Sequence, residues 1–186
     1  MSLTEFLSRI ARCLGDADVP FMLTGSLAAA FYGTPRATQD VDLVINPDRP
    51  QLERLVELLS ASGLYVSPEA AAEAFERGGQ FNAIDVETGW KADMIVRKGR
   101  EFSQREFERR RPKQLFGVEV SLATVEDLII AKLEWSELGD SELQRRDIQQ
   151  LIEATGDSLD YSYLRKWIAD LGLEGAWAKL HKGTDR

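Results

Sequence analysis

Residues 40–45 read Asp-Val-Asp-Leu-Val-Ile, and no other segment restricts the fold of this chain so tightly. Alternate residues of a strand share a face, so Asp40 and Asp42 stand side by side while Val41 and Leu43 point to the core. Two adjacent carboxylates repel and resist burial unless a cation compensates them. The segment therefore predicts a strand whose tail lies in a core and whose head lies at an open end of a sheet. Hard divalent ions take oxygen ligands, and paired carboxylates in such a position can hold one or two of them, about 3.5 to 4 Å apart. Mg2+ or Mn2+ is the expected ion.

A second feature lies upstream. Phe21-Met22-Leu23-Thr24 reads as a short buried strand, Gly25 breaks it, and Ser26 is placed to cap an alanine-rich helix running to about Tyr32. Backbone N–H groups and a hydroxyl at a strand-to-helix junction suit a phosphate. A nucleoside triphosphate with magnesium satisfies both features. A third carboxylate is expected. Asp93, the lone acid in the apolar strand Lys91 to Val96, is the first candidate, and Asp85, between Ile84 and Val86 on the partner strand, competes with it.

The remaining pattern is mixed α/β and then helical. Helical spacing covers 3–14, 52–59 and 70–75, strands fall at 41–45 and 118–122, and 81–86 with 91–96 form a hairpin around Glu87-Thr88-Gly89-Trp90. Thr124-Val-Glu-Asp127 opens a helix over 125–138, followed by helices at about 141–155, 160–171 and 173–181. The boundary expected from this change is a mixed α/β part over 1–122 and a helical region over 123–186 packed on it. At 186 residues, the chain can bury an adequate core without staples.

Composition excludes several chemistries. One cysteine, Cys13, and one histidine, His181, rule out a disulfide framework, a zinc cluster and a well-ordered Ser-His-Asp centre. The net charge of −8 argues against broad adhesion to nucleic acid or anionic lipid. Residues 97–113 run against that trend, with eight basic residues against three acids, enough to guide a nucleic-acid acceptor or a triphosphate, or to form a solvated helix face with pairs such as Glu101 and Arg105. No run approaches the ~20 apolar residues of a membrane span, so the expected location is cytoplasmic, with no membrane partner. Trp135, Trp167 and Trp177 fall at helical core positions, and Trp90 is expected to be exposed at the hairpin turn.

Gly25-Ser26, thirteen further residues, Asp40-x-Asp42 and a later aspartate inside an apolar strand resemble the DNA polymerase beta-like nucleotidyltransferase superfamily. The context Arg36-x-Thr38-x-Asp40-x-Asp42, with Lys132 and Arg146-Asp147 in later helices, is similar to its small bacterial branch, the AbiEii-like nucleotidyltransferases of type IV toxin-antitoxin systems. Arg145 and Arg146 are adjacent, and either can fill the basic position before the aspartate. The resemblance implies an α+β fold, a palm with a mixed β-sheet flanked by helices and a C-terminal helical region. It also implies magnesium-dependent transfer of a nucleotidyl group from an NTP to an acceptor such as a tRNA end, a protein or a small molecule, with a cognate toxin or antitoxin as partner. Asp40, Asp42 and Asp93 are then the metal-binding and catalytic residues, and Gly25, Ser26, Arg36, Thr38, Lys132 and Asp147 bind substrate.

Other readings of the same residues are weaker. Calcium binding of the EF-hand type fails because Val44 stands where an oxygen ligand is needed, and no GxxxxGK[ST] loop exists. A phosphohydrolase built on Asp-x-Asp fails because Pro35 to Gln39 do not form a buried strand. Lys132 projects onto the apolar face of its helix among Leu128, Ile129 and Trp135, so it must snorkel or find an anion, Asp147, a nucleotide phosphate or both. A non-catalytic nucleotide-binding or antitoxin-like protein on the same fold is the rival function, and intact carboxylates argue against it.

Overall fold

The computed structural model describes residues 1–34, 38–139 and 141–181. Arg36, one of the expected substrate-binding residues, lies outside them. The chain forms two compact units, Met1–Leu27 with Ala37–Ala123, and Ala28–Arg36 with Thr124–Arg186.

The first unit contains α1 (Leu3–Asp16), β1 (Phe21–Thr24), the start of α2 (Gly25–Phe31), β2 (Asp40–Ile45), α3 (Arg49–Ala61), α4 (Pro68–Arg77), β3 (Gln80–Ile84), β4 (Lys91–Val96), α5 (Glu101–Arg109), β5 (Arg111–Leu115) and β6 (Val118–Leu122). Its six strands form one mixed sheet in the order β3-β4-β2-β1-β6-β5. β2 runs parallel to β4 and β1 parallel to β6, while the other neighbours are antiparallel. The mixed α/β class expected from the sequence is the one observed.

Local chemistry starts the helices and burial holds them. Ser2 accepts the Glu5 N–H at 3.2 Å while the Glu5 carboxylate accepts the Ser2 N–H at 2.7 Å, a capping box that opens α1. Asp48 and Gln51 repeat the device at α3, with both bonds at 2.8 Å. Such a cap is worth about 1 kcal/mol. Phe6, Leu7, Ile10 and Leu14 are almost wholly buried, and each contributes roughly 1.5 to 3 kcal/mol, so the apolar stripe outweighs the cap in fixing α1. Trp90, expected to be exposed, is half-buried. Its ring stacks on Phe6 at 6.2 Å and its Nε1–H donates to the Met1 carbonyl at 3.1 Å, so the hairpin turn is tied to the N-terminus.

Two further differences from the sequence reading concern this unit. β5 was not expected, because Arg111-Pro112-Lys113-Gln114 is polar and exposed and shows no alternation. It is an edge strand, where proline is tolerated and charge discourages further pairing. Arg105 pairs with Glu108 at 3.5 Å, and Arg97 and Arg110 lie over the Phe107 ring at 6.0 and 4.0 Å.

The second unit holds α6 (Val125–Gly139), α7 (Glu142–Thr155), α8 (Tyr161–Asp170) and α9 (Glu174–His181). The expected cap at Thr124 is present: Thr124 Oγ1 accepts the Asp127 N–H at 3.4 Å and donates to Asp127 Oδ2 at 2.6 Å. Tyr163 donates to the other oxygen of Asp127, also at 2.6 Å, and Glu126 accepts the Asp160 N–H at 3.1 Å, so the first turns of α6 and α8 are joined. Ile129, Leu133, Ile148, Leu151 and Leu164 are buried between these helices. Trp167 is buried, whereas Trp135 is 57% exposed, against expectation. Val125, Ile129, Leu133 and Ser136 of α6 are buried, and Trp135 lies roughly 115° from the centre of the stripe they form. Among the described residues no helix is long and apolar enough to cross a membrane.

Candidate active site

β2 carries the expected polarity: Asp40 and Asp42 are half-buried, and Val41, Leu43, Val44 and Ile45 are buried. The register supplies the rest of the site. Asp42 lies opposite Thr24 of β1 on one side and Asp93 of β4 on the other, and Asp93 lies opposite Asn82 of β3. Thr24, Asp42, Asp93 and Asn82 thus form one row across four strands, all on one face. One step away, Asp40 lies opposite Lys91. Asp40, Asp42, Lys91 and Asp93 are therefore the four corners of a square on two parallel strands, three acids and one base.

The like-charged pair in this square, Asp42 and Asp93, is unfavourable where it stands. The opposite-charged corner offsets it: the Lys91 ammonium is 3.2 Å from Asp93 Oδ2 and 3.4 Å from Asp40 Oδ1. Partial burial by itself depresses the Lys91 ammonium, but the hydrogen bond and charge of Asp93, joined by Asp40, outweigh this and hold its pKa above the ordinary lysine value. Asn82, turned with its amide nitrogen inward, donates to Asp93 Oδ1 at 2.8 Å. Thr38 Oγ1 accepts the Asp40 N–H at 3.1 Å, fixing the backbone where β2 begins.

Gly25 borders the row. Its φ is +66°, and a Cβ there would lie 2.5 Å from Asp42 Cγ and 2.8 Å from Asp42 Cβ. The glycine is needed both for the turn and for the space taken by the carboxylate. α2 follows β1 without a spacer, so Ser26, expected as the N-cap, falls inside the first turn and is buried.

Asp85 and Asp93, the two candidates for the third carboxylate, differ in their hydrogen bonds. Asp85 is buried at the hairpin turn, where its Oδ1 accepts the N–H groups of Glu87 and Thr88, each at 3.0 Å. Burial pushes its pKa up, but these N–H groups outweigh it and the net shift is downward. Asp85 is thus occupied with the turn, while Asp93 stands in the row with Asp42.

Lys132 and Asp147 form a buried pair in the second unit. The Lys132 Nζ is 2.7 Å from Asp147 Oδ2 and 3.1 Å from Gln144 Oε1. Arg145 is half-buried and Arg146 exposed.

Among the described residues, no three acidic, histidine or cysteine side chains converge closely enough to hold an ion between them as they stand. The donor set nonetheless suits a hard divalent cation: three carboxylates share one face of adjacent strands, and one cationic group, the Lys91 ammonium, already lies between two of them. Sequence reasoning did not single out Lys91 or Asn82. The spacing Lys91-x-Asp93 hinted at the first, but the cross-strand partners depend on register.

No family model matches the chain, and no curated protein matches it in sequence. Solved structures do. The antibiotic-resistance factor ANT(2'')-Ia in solution superposes over 97% of this chain and 96% of its own, with a TM-score of 0.65 at 15% identity. The fold is that of the nucleotidyltransferases. An antigenic nucleotidyltransferase-like protein from Paracoccidioides brasiliensis aligns over 94% of this chain and 91% of its own, with a TM-score of 0.55 at 20% identity. The lincosamide antibiotic adenylyltransferase LnuA, with lincomycin bound, aligns over 83% of this chain and 98% of its own, with a TM-score of 0.56 at 14% identity.

Proposed function

We propose that the chain is a nucleotidyltransferase of the polymerase beta-like superfamily, dependent on Mg2+ or Mn2+, that moves a nucleotidyl group from an NTP to an acceptor hydroxyl. The observation that carries this reading is the Asp42–Asp93 register pair beside Gly25, with Asp40 on the same face. Asp40, Asp42 and Asp93 hold the cation. When bound, it supplies neutralising charge for the triphosphate and the departing pyrophosphate.

The chain's own residues do the rest. Gly25 and Ser26 offer backbone N–H groups to the phosphates, and Thr38 fixes the start of β2 so that Asp40 meets the site. Asp93, oriented by Asn82, accepts the proton of the acceptor hydroxyl as its oxygen bonds to the α-phosphorus and pyrophosphate leaves. On the sequence motif alone, Arg36 is assigned to bind the triphosphate. Lys132 and Asp147 serve as a structural ion pair of the second unit.

The ANT(2'')-Ia complex with adenylyl-2''-tobramycin, aligned over 98% of this chain with a TM-score of 0.58, and the lincomycin-bound LnuA support a small polyhydroxylated acceptor over a tRNA end or a protein. The AbiEii-like, toxin-antitoxin reading is the second proposal. It rests on the Arg36-to-Asp42 motif and calls for a macromolecular acceptor and a partner protein. Labelled nucleotides of all four bases, incubated with Mg2+ and cell extract, separate the two. Label in a small molecule supports the first and label in RNA or protein the second. No transfer to any fraction, with full recovery of NTP, contradicts both.

A further inference from the structure

The fourth corner of the carboxylate square is a lysine, and its position is fixed twice. Lys91 faces Asp40 across the parallel strands and sits two residues before Asp93 on the same strand and face. Its ammonium reaches both at 3.4 and 3.2 Å, with the Asp93 side chain 14% exposed and the Asp40 side chain 51% exposed. Two of the three acids that the proposed function assigns to the cation are thus held by a charge belonging to the chain. A lysine on a flexible stem can leave such a place and return to it. A fixed arginine fork could not do so as readily.

We propose that Lys91 is a displaceable counter-ion of the cation site: it holds Asp40 and Asp93 in the cation-free protein, must release both when a divalent cation binds, and thereby sets the cation concentration at which the site fills. The inference rests on the nucleotidyltransferase reading for the location of the cation. Its electrostatic content is specific to this chain. With Lys91 in place, the square carries a net charge of about −2 and is tolerated without metal. Without Lys91, the square carries about −3 and the repulsion among its carboxylates rises. The same positive charge that stabilises the square repels an incoming dication. A unit charge about 5 Å from a dication shifts its affinity on the order of tenfold even in a water-like dielectric.

The test uses Mn2+ alone, without nucleotide, followed by electron paramagnetic resonance, together with melting curves in chelator. The variants are Lys91→Met, Lys91→Arg and Asp42→Asn. Lys91→Met is expected to melt lower than wild type in chelator, to bind Mn2+ on the order of tenfold more tightly, and to gain more in melting temperature from Mn2+. Lys91→Arg, which keeps the charge, should stay close to wild type in chelator. If Lys91→Met does not fold, wild-type protein with 13C-methylated lysines gives the same decision: the Lys91 methyl signal should move toward that of solvent-exposed lysines as Mg2+ is added. An unchanged Lys91 signal at saturating Mg2+ overturns the proposal. So does Mn2+ binding by Lys91→Met that equals or falls below wild type, provided wild type binds and Asp42→Asn does not; in that case the cation site itself survives. Absence of Mn2+ binding in every variant and wild type overturns the site and the counter-ion together.

Discussion

The Asp42 carboxylate occupies the space that a side chain on Gly25 would need. A Cβ at Gly25 would come within 2.5 Å of Asp42 Cγ, and the glycine already holds φ at +66°. The end of β1 and the head of β2 are thereby fitted to each other, so the turn at Gly25 and the first acidic pair of the proposed site form one structural piece.

Gly25→Ala is expected to be damaging in two ways. The left-handed backbone is strained for alanine, at about 1 to 3 kcal/mol, and the new methyl displaces Asp42. Urea unfolding should show a stability loss in that range, and NTP with Mg2+ should no longer raise the melting temperature. A variant with wild-type stability and ligand response would show that the close approach has no role.

Lys132→Met tests the buried pair of the second unit. The Lys132 ammonium is taken by Asp147 and Gln144, so removing it takes a counter-charge at 2.7 Å from the buried Asp147. A loss of about 3 to 5 kcal/mol follows, and Lys132→Met with Asp147→Leu should recover most of it. Denaturant midpoints of the single and double variants check this. A fully stable single variant with weakened nucleotide binding would return Lys132 to the phosphate role.

Asp85 gives a pH dependence with a definite sign. Its folded pKa is lowered: burial opposes ionisation, but the Thr88 and Glu87 N–H groups outweigh it. A lowered carboxylate contributes stability above its unfolded value of about 3.9 and loses it as pH falls through the folded value. Asp85→Asn should therefore flatten the acid limb of the stability curve below pH about 4. Chemical denaturation at stepped pH measures the difference, and parallel acid limbs would contradict the assignment.

Legibility in the sequence followed the physics of each element. β2 and β4 were readable because burial on one face and charge on the other produce an alternation visible along a single strand. The hairpin around residue 87 was readable from its turn residues. β5 was not, since an exposed edge strand buries almost nothing and leaves no apolar period. Trp135 was misplaced because the helical projection was centred on Lys132, whereas the buried stripe centres nearer Ser136. Asp40, Asp42 and Asp93 could be picked out as acids in apolar surroundings. Lys91 became significant only once the register set it opposite Asp40, because cross-strand pairs depend on which strands become neighbours.

Calorimetric titration of each of the four NTPs, in Mg2+ and in Mn2+, into wild type and Asp42→Asn tests the central claim most directly. Removing one of two facing charges should leave the metal-free variant as stable as wild type or slightly more so. Wild type should bind at least one NTP only when the cation is present, with a stabilisation of about 2.7 kcal/mol at a hundredfold excess over Kd, and Asp42→Asn should lose both. Absence of heat with every nucleotide, or equal cation-dependent binding by wild type and Asp42→Asn, would contradict the account.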